Sequence, residues 1–132
     1  MGLFIVEDGG YRNLLPLAWV RPVYDLRCGI LTLREKILRA YGVEACGLGC
    51  REYLEELVAE RNPGFPVNRV DGDRALIVNG RALFNAELAK KIPLEGPDML
   101  YMAGDEVVAA RLSGKNLKGM DWRTPITAAS YP

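Results

Sequence analysis

The chain has 132 residues, a length that suits one domain. Hydrophobic residues make up 49% and charged residues 26%, the balance of an ordinary globular chain, which excludes wholesale disorder. Seventeen basic residues offset seventeen acidic ones and there is no histidine, so the overall charge favours neither nucleic acid nor an anionic membrane as partner.

No apolar run approaches the ~20 residues of a membrane-spanning helix, and the start has no basic region before its short apolar stretch, so a cytoplasmic protein is expected. That stretch, Leu3 to Val6, predicts a buried parallel strand running into the loop Glu7-Asp8-Gly9-Gly10. Pro16 and Pro22 disfavour helix in the residues before them, and an extended segment is expected from Tyr11 to Gly29. Thr32 and Glu35 have the capping-box spacing, which starts a helix. Leu33, Ile37, Ala40 and Tyr41 give that helix one apolar face, and Gly42 stops it.

Val43 to Cys46 then fits a short strand, and Arg51 to Arg61 a second amphipathic helix with Tyr53, Leu54, Leu57 and Val58 facing inward. Val67 to Val70 is a further candidate strand, and Ala75 to Val78 a stronger one, bounded by Asp71-Gly72-Asp73 and Asn79-Gly80. Asn85 caps a short helix to Lys91. Met99 to Met102 and Val107 to Leu112 form a hairpin about Ala103-Gly104-Asp105-Glu106, read as an addition to the sheet. Ser113 to Pro132 lacks a period and predicts an irregular tail.

Alternating strands and helices imply an α/β fold, a partial Rossmann-like architecture with a mainly parallel sheet and an added β-hairpin. Cys28, Cys46 and Cys50 fall short of a zinc site's full complement of ligands and read as buried thiols, with no metal assigned.

The residues with the most chemistry lie early. Between Gly9 and Arg39 six basic residues stand against two acidic ones, a local charge of +4 that attracts phosphate. In Gly9-Gly10-Tyr11-Arg12 the backbone N–H groups of a glycine turn can approach phosphate oxygens, and the guanidinium can bind them bidentately. Such a turn, leaving the carboxyl end of a first strand, falls where open α/β sheets bind ligands.

The run Val6-Glu7-Asp8-Gly9-Gly10-Tyr11-Arg12-Asn13-Leu14-Leu15-Pro16-Leu17 resembles the opening signature of nucleotide-sugar pyrophosphorylases, a strand followed by G-G-x-G-T-R-L-x-P-L-T. Together with Arg21-Pro22-Val23, Asp25-Leu26-Arg27, Gly29-Ile30-Leu31-Thr32 and Arg34-Glu35-Lys36, it is similar to a divergent bacterial and archaeal group of sugar nucleotidyltransferase-like proteins. That group is related to glucosamine-1-phosphate uridylyltransferase/N-acetyltransferase. The resemblance covers about residues 3–36, with a weaker echo at 76–83. It implies a sugar-nucleotidyltransferase-like domain over residues 1–112, with the tail over 113–132.

What the resemblance implies chemically is attack by a sugar-1-phosphate oxygen on the α-phosphate of a nucleoside triphosphate, with pyrophosphate leaving and Mg²⁺ usually assisting. By carry-over, Arg12 and Arg21 are the catalytic cations. Gly9, Gly10, Tyr11, Arg12, Arg27, Lys36, Asn79, Gly80 and Arg81 are the nucleotide contacts. Two departures stand out. Tyr11 occupies the place of the signature's second glycine, and Arg81 the place of the aspartate that holds Mg²⁺, which a guanidinium cannot ligate.

Plainer readings accompany each site. Arg21 and Arg27 can pair with Asp25, Glu7 or Asp8 on the surface, where such pairs are worth about 0 to 1 kcal/mol. Asp8 and Asp25 read as turn residues rather than catalytic carboxylates, Trp19 as a packing residue rather than a base platform, and Lys36 can be a solvated lysine. The expected partners are a nucleoside triphosphate or nucleotide-sugar and a sugar-1-phosphate, with a homo-oligomer as a further expectation. The sugar-binding half has no sequence left to encode it, so a truncated chain, a fragment or a stand-alone remnant is expected. A non-catalytic nucleotide-sugar-binding or regulatory module and an oligomerisation domain are the alternatives.

Overall fold

Leu3, Phe4, Ile5 and Val6 are buried on both sides of a sheet, as a continuous apolar run at a sheet's centre must be. They lie in strand β1 (Gly2–Val6) of a computed structural model that describes residues 2–7, 22–28, 31–44, 46–69, 72–82, 84–104, 106–118 and 120. β1 pairs in parallel with β4 (Gly47–Leu48) on one side and with β5 (Arg74–Asn79) on the other. β5 pairs antiparallel with β7 (Glu106–Ser113), and β7 with β6 (Met99–Ala103). The five-stranded order is therefore β4-β1-β5-β7-β6. The sheet is mixed rather than mainly parallel, because the β6–β7 hairpin inserts its second strand beside β5 and makes up its antiparallel half.

Leu3, Ile5, Leu76 and Val78 point to one face, where α1 (Leu33–Tyr41), α2 (Glu55–Arg61) and α3 (Ala86–Lys91) cover them. Phe4, Val6, Ala75 and Ile77 point to the other, together with Ala110, Leu112 and Leu117. The capping box at the start of α1 forms as its spacing predicts: the Thr32 hydroxyl accepts from Glu35 N at 3.1 Å, and Thr32 N donates to the Glu35 carboxylate at 3.2 Å. Gly42 closes α1 in the left-handed conformation, and Asn85 caps α3 through Leu88 N.

Several expectations shift. The strand expected at Val43–Cys46 forms instead at Gly47–Leu48, because a Cβ at position 47 would overlap the Phe4 ring and only glycine lets β4 approach β1 there. Val67 makes only an isolated parallel bridge to Leu48, since Asn68 turns the chain away at a φ of 54°. Residues Val23–Asp25 of the expected extended segment form a 3-10 turn, closed by Asp25 N donating to the Pro22 carbonyl. β2 (Arg27–Cys28) then pairs antiparallel with β3 (Leu31–Thr32).

The second helix begins as a 3-10 turn, Glu52–Leu54, before α2. The tighter winding moves Tyr53 off the apolar stripe, so it is exposed rather than inward, while Leu54 and Val58 are buried as expected. Within the region expected to be an irregular tail, Gly114–Lys118 forms a short helix, α4, because Leu117 has an apolar place beside Phe4 and Ile77. Residues 121–132 lie outside the described residues.

Arg111, in the middle of β7, is only 2% exposed. Its guanidinium donates to the carbonyls of Pro97 at 2.8 Å and Pro93 at 2.6 Å and to the Tyr101 hydroxyl at 2.8 Å. Burying this charge demands such partners. The connection from α3 to β6 is folded around it, and Gly96, at a φ of 150°, passes so close that an added Cβ would lie 2.8 Å from Arg111 Nη1. Gly96→Ala is therefore expected to cost about 1–3 kcal/mol in urea unfolding, through backbone strain and crowding of the guanidinium together. An unchanged midpoint would show that Arg111 does not fix this connection.

Candidate functional site

β1 is the switch point of the sheet: the chain goes from it to β4 on one side and then crosses to β5 on the other, and ligands of open α/β sheets bind outside the carboxyl ends of such strands. The carbonyls of Ile5 and Val6 hold the two flanks at this end, accepting from Gly49 N at 2.7 Å and Gly80 N at 2.8 Å.

Just beyond β1 and β4 lie Glu7 and Arg51, 2% and 4% exposed. Arg51 Nε donates to Glu7 Oε2 at 3.0 Å and Nη2 to Glu7 Oε1 at 3.1 Å, a bidentate pair, and Arg51 N adds a third bond to Oε2 at 3.0 Å. The remaining guanidinium nitrogen, Nη1, donates to the Tyr53 hydroxyl at 2.7 Å, and the guanidinium lies over the Tyr53 ring, 5.2 Å from its centroid. Each nitrogen of the guanidinium is thus occupied, which is what lets so strongly hydrated a pair leave water.

Asn68 braces the same flank. Its side chain accepts from Cys50 N at 2.9 Å and donates to the Glu55 carboxylate at 3.2 Å.

On the other flank, Asn79 is buried and its amide donates to the Val107 carbonyl at 2.9 Å while accepting from Arg81 N at 2.9 Å. Gly80 leaves no room for a side chain, since a Cβ there would stand 2.9 Å from Tyr24 Cβ and 3.0 Å from the Val6 carbonyl oxygen. Tyr24 is fully buried behind it, and its hydroxyl has no hydrogen-bond partner among the described residues. Burial, followed by the negative charges of Cys50, Glu7 and Asp25, holds that hydroxyl well above the usual tyrosine range.

Arg81 Nη2 pairs with Glu106 Oε1 at 3.2 Å at the surface. Oxygen ligands in octahedral array are what Mg²⁺ needs, and here a guanidinium follows Gly80 and the Asn79 oxygen already accepts from Arg81 N. This turn does not fit the metal, and no step is derived through it. Among the described residues no group of three or more Cys, Asp or Glu could hold a metal ion.

Gly9, Gly10, Tyr11, Arg12 and Arg21, together with Asp8 and Trp19, lie outside the described residues, and so does the Arg27 side chain. Asp25 pairs with Arg34, whose Nη2 is 2.9 Å from Asp25 Oδ1, and the pairing expected with Arg21 or Arg27 falls outside the described residues. Lys36 lines a cavity of about 260 Å³ with Arg39, Phe84 and Asn85. Asn79, Gly80 and Arg81 do not line it, and the place of Lys36 relative to Gly9, Gly10, Tyr11 and Arg12 falls outside the described residues. Glu7, Arg51 and Tyr53 escaped the sequence reading because the pair joins residues 44 positions apart with no motif linking them. Arg51 comes three residues after the short strand β4, with no feature that marks it as the partner of Glu7.

The family model described as "Sugar nucleotidyl transferase" matches residues 3–124. The chain belongs to this family. No curated protein matches it. The matched residues start with β1 and run through α4, so the β6–β7 hairpin lies within the stretch that matches the sugar nucleotidyl transferase family. Sugar nucleotidyl transferases typically use Mg²⁺. No helix of the described residues is long and apolar enough to cross a membrane.

Removing one member of the Glu7–Arg51 pair leaves a buried charge alone, and Arg51→Ala is expected to cost about 3–5 kcal/mol. Replacing both, as Glu7→Leu with Arg51→Met, should recover most of that loss. If the double variant unfolds at the same urea concentration as the single, the stranded charge is not what destabilises the sheet.

Burial, joined for Cys50 by the Glu7 and Glu55 carboxylates, pushes the Cys46 and Cys50 thiols up to about 12. Since these groups ionise more easily once unfolded, their contribution is intact below about pH 8.5 and is lost as pH rises toward 12. The urea midpoint should fall between pH 9 and 11, and peptide mapping should find Cys46 and Cys50 unalkylated by iodoacetamide in the folded protein at pH 8. Rapid labelling of either one would refute the burial effect.

Proposed function

We propose that the carboxyl ends of β4, β1 and β5 hold a nucleoside triphosphate or nucleotide-sugar, and that the protein transfers a nucleotidyl group to a sugar-1-phosphate. The observation that carries the reading is the switch point at β1, held by the Glu7–Arg51 pair, in a chain of the sugar nucleotidyl transferase family. The sequence that follows Glu7 includes Gly9, Gly10 and Arg12, whose residue types suit polyphosphate.

In the proposed reaction a sugar-1-phosphate oxygen bonds to the α-phosphorus, the bond from that phosphorus to the bridging oxygen breaks, and pyrophosphate leaves with the bonding pair. Chemistry of this kind rests on alignment and on neutralising charge. Arg12 and Arg21 supply the charge in this reading, Gly9, Gly10 and Tyr11 form the turn beneath the phosphates, and Arg27 is a secondary contact. The described residues contribute the frame: Glu7 and Arg51 fix the carboxyl end of β1, and Gly80 keeps the β5 flank against Tyr24.

A second reading, a nucleotide-sugar-binding module without turnover, is favoured by one observation: Arg81, already paired with Glu106, stands where the related signature has its metal-binding aspartate.

Thermal unfolding with UTP, CTP, GTP, dTTP and UDP-sugars tests both. A ligand at one hundred times its Kd should add about 2.7 kcal/mol of stability. Pyrophosphate release in the presence of sugar-1-phosphate and Mg²⁺, abolished in Arg12→Ala, supports the transferase. Stabilisation without release supports the binding module, and no stabilisation by any of these ligands defeats both.

A further inference from the structure

We infer that Tyr53 is the stacking platform for the nucleobase, a recognition element of the nucleotide site proposed above and resting on that reading. Four large hydrophobic residues are exposed among those described, and three of them, Met99, Leu100 and Met102, lie together on the edge strand β6. Tyr53 stands apart from that edge, at the carboxyl-end rim of the parallel strands, and is 62% exposed.

An exposed tyrosine is ordinarily free to change rotamer. This one is held twice by the same buried group. Its hydroxyl accepts from Arg51 Nη1, and its ring lies against the Arg51 guanidinium, which is itself locked to Glu7. The chain Glu7–Arg51–Tyr53 thus transmits the rigidity of the sheet to an aromatic ring at the surface. The entropy that a stacking contact would otherwise lose is already lost in the free protein, which is how preorganised sites gain affinity. The 3-10 turn of Glu52–Leu54 is what turns the ring outward, although the apolar periodicity of this segment would have buried it.

The two flanks of β1 differ in a way that orients a nucleotide. Beyond β5 lies the charged pair Arg81–Glu106, which suits phosphate or sugar oxygens better than an aromatic base. Beyond β4 lies a fixed aromatic ring. A nucleotide with its phosphates at the carboxyl end of β1, as proposed above, therefore finds its base platform on the β4 side. Stacking on a single tyrosine is tolerant of base identity, so this element favours nucleotides over bare polyphosphate without choosing among them.

Calorimetric titration of the full chain with ATP, GTP, CTP, UTP and dTTP, and with inorganic tripolyphosphate, tests the inference. Tyr53→Ala is expected to weaken the nucleoside triphosphate that binds best by about 5- to 150-fold, the span of base–aromatic stacking, and to leave tripolyphosphate affinity unchanged. Tyr53→Phe keeps the ring and should stay within about threefold of the parent protein. Both variants remove the acceptor of the buried Arg51 Nη1, so each is expected to lose about 1–3 kcal/mol in urea unfolding, and Tyr53→Phe, which loses the same bond but keeps the ring, separates that cost from the loss of stacking.

Two results overturn the inference while leaving the site in place: nucleotide affinity that Tyr53→Ala does not change, or a loss that is equal for nucleotide and tripolyphosphate. A parent protein that binds none of the nucleotides overturns the site and the platform together.

Discussion

The carboxyl ends of the parallel strands are held together by a buried ion pair, and the rest of the candidate site is arranged around it. Withdrawing a carboxylate and a guanidinium from water costs several kcal/mol for each ion, a cost that only close geometry and complete hydrogen bonding can offset. Glu7 and Arg51 meet both conditions through two side-chain bonds, one backbone bond and the Tyr53 hydroxyl. The same bonds make the pair intolerant of displacement: sliding β4 along β1 would break the bidentate contact and the Arg51 N–H bond at once. Apolar contacts between Phe4, Val6 and their neighbours supply cohesion, and the ion pair supplies register.

A second buried guanidinium organises the antiparallel half by a different route. Arg111 meets no carboxylate in the bonds it makes to Pro93, Pro97 and Tyr101, and instead gathers two carbonyls and a hydroxyl into one turn. Its 5.6 Å approach to the Tyr101 ring adds the attraction of a cation for an aromatic face. The two arginines divide the sheet between them, one fixing the carboxyl end of β1 and the other fixing how the chain returns from α3 to β6. Neither lies on a helix, where periodicity would have drawn attention to it.

How much of this was legible depended on whether the cause is local. The capping box of Thr32 and Glu35, the Asn85 cap and the β6–β7 hairpin each arise within a few residues, and the structure has them where the sequence implies. β4 was misplaced because its identity comes from the space beside Phe4, which admits Gly47, whereas strand preference pointed to the residues before it. Tyr53 was turned inward by an assumed helical period that the 3-10 turn breaks. The family was readable from the opening signature, and the match over residues 3–124 agrees with it. The Glu7–Arg51 pair was not readable, because nothing in either segment announces a partner on the other side of α1.

Arg81 ties these strands of reasoning to the chemistry. Its contact with Glu106 is made at the surface, where Glu106's side chain is 66% exposed, and pairs of that kind contribute about 0 to 1 kcal/mol. A hydrogen bond from a guanidinium to a charged oxygen within a site is worth about 1.5 to 3 kcal/mol. Under the proposed function a phosphate arriving beside β5 outcompetes Glu106 for the guanidinium, and the ion pair is then the resting partner of a cation whose working partner is the ligand. An aspartate at this position would hold a divalent metal, which in turn gathers phosphate oxygens in fixed directions; Arg81 offers a fork on a flexible stem, with one unit of charge and no shared coordination sphere. Its neighbours Asn79 and Gly80 restrict where that stem begins, through the Asn79–Val107 bond and the contact with Tyr24. The β4 flank ends in an aromatic ring held by Arg51 and the β5 flank in a guanidinium held by Glu106, so the two sides of β1 offer a ligand different chemistry.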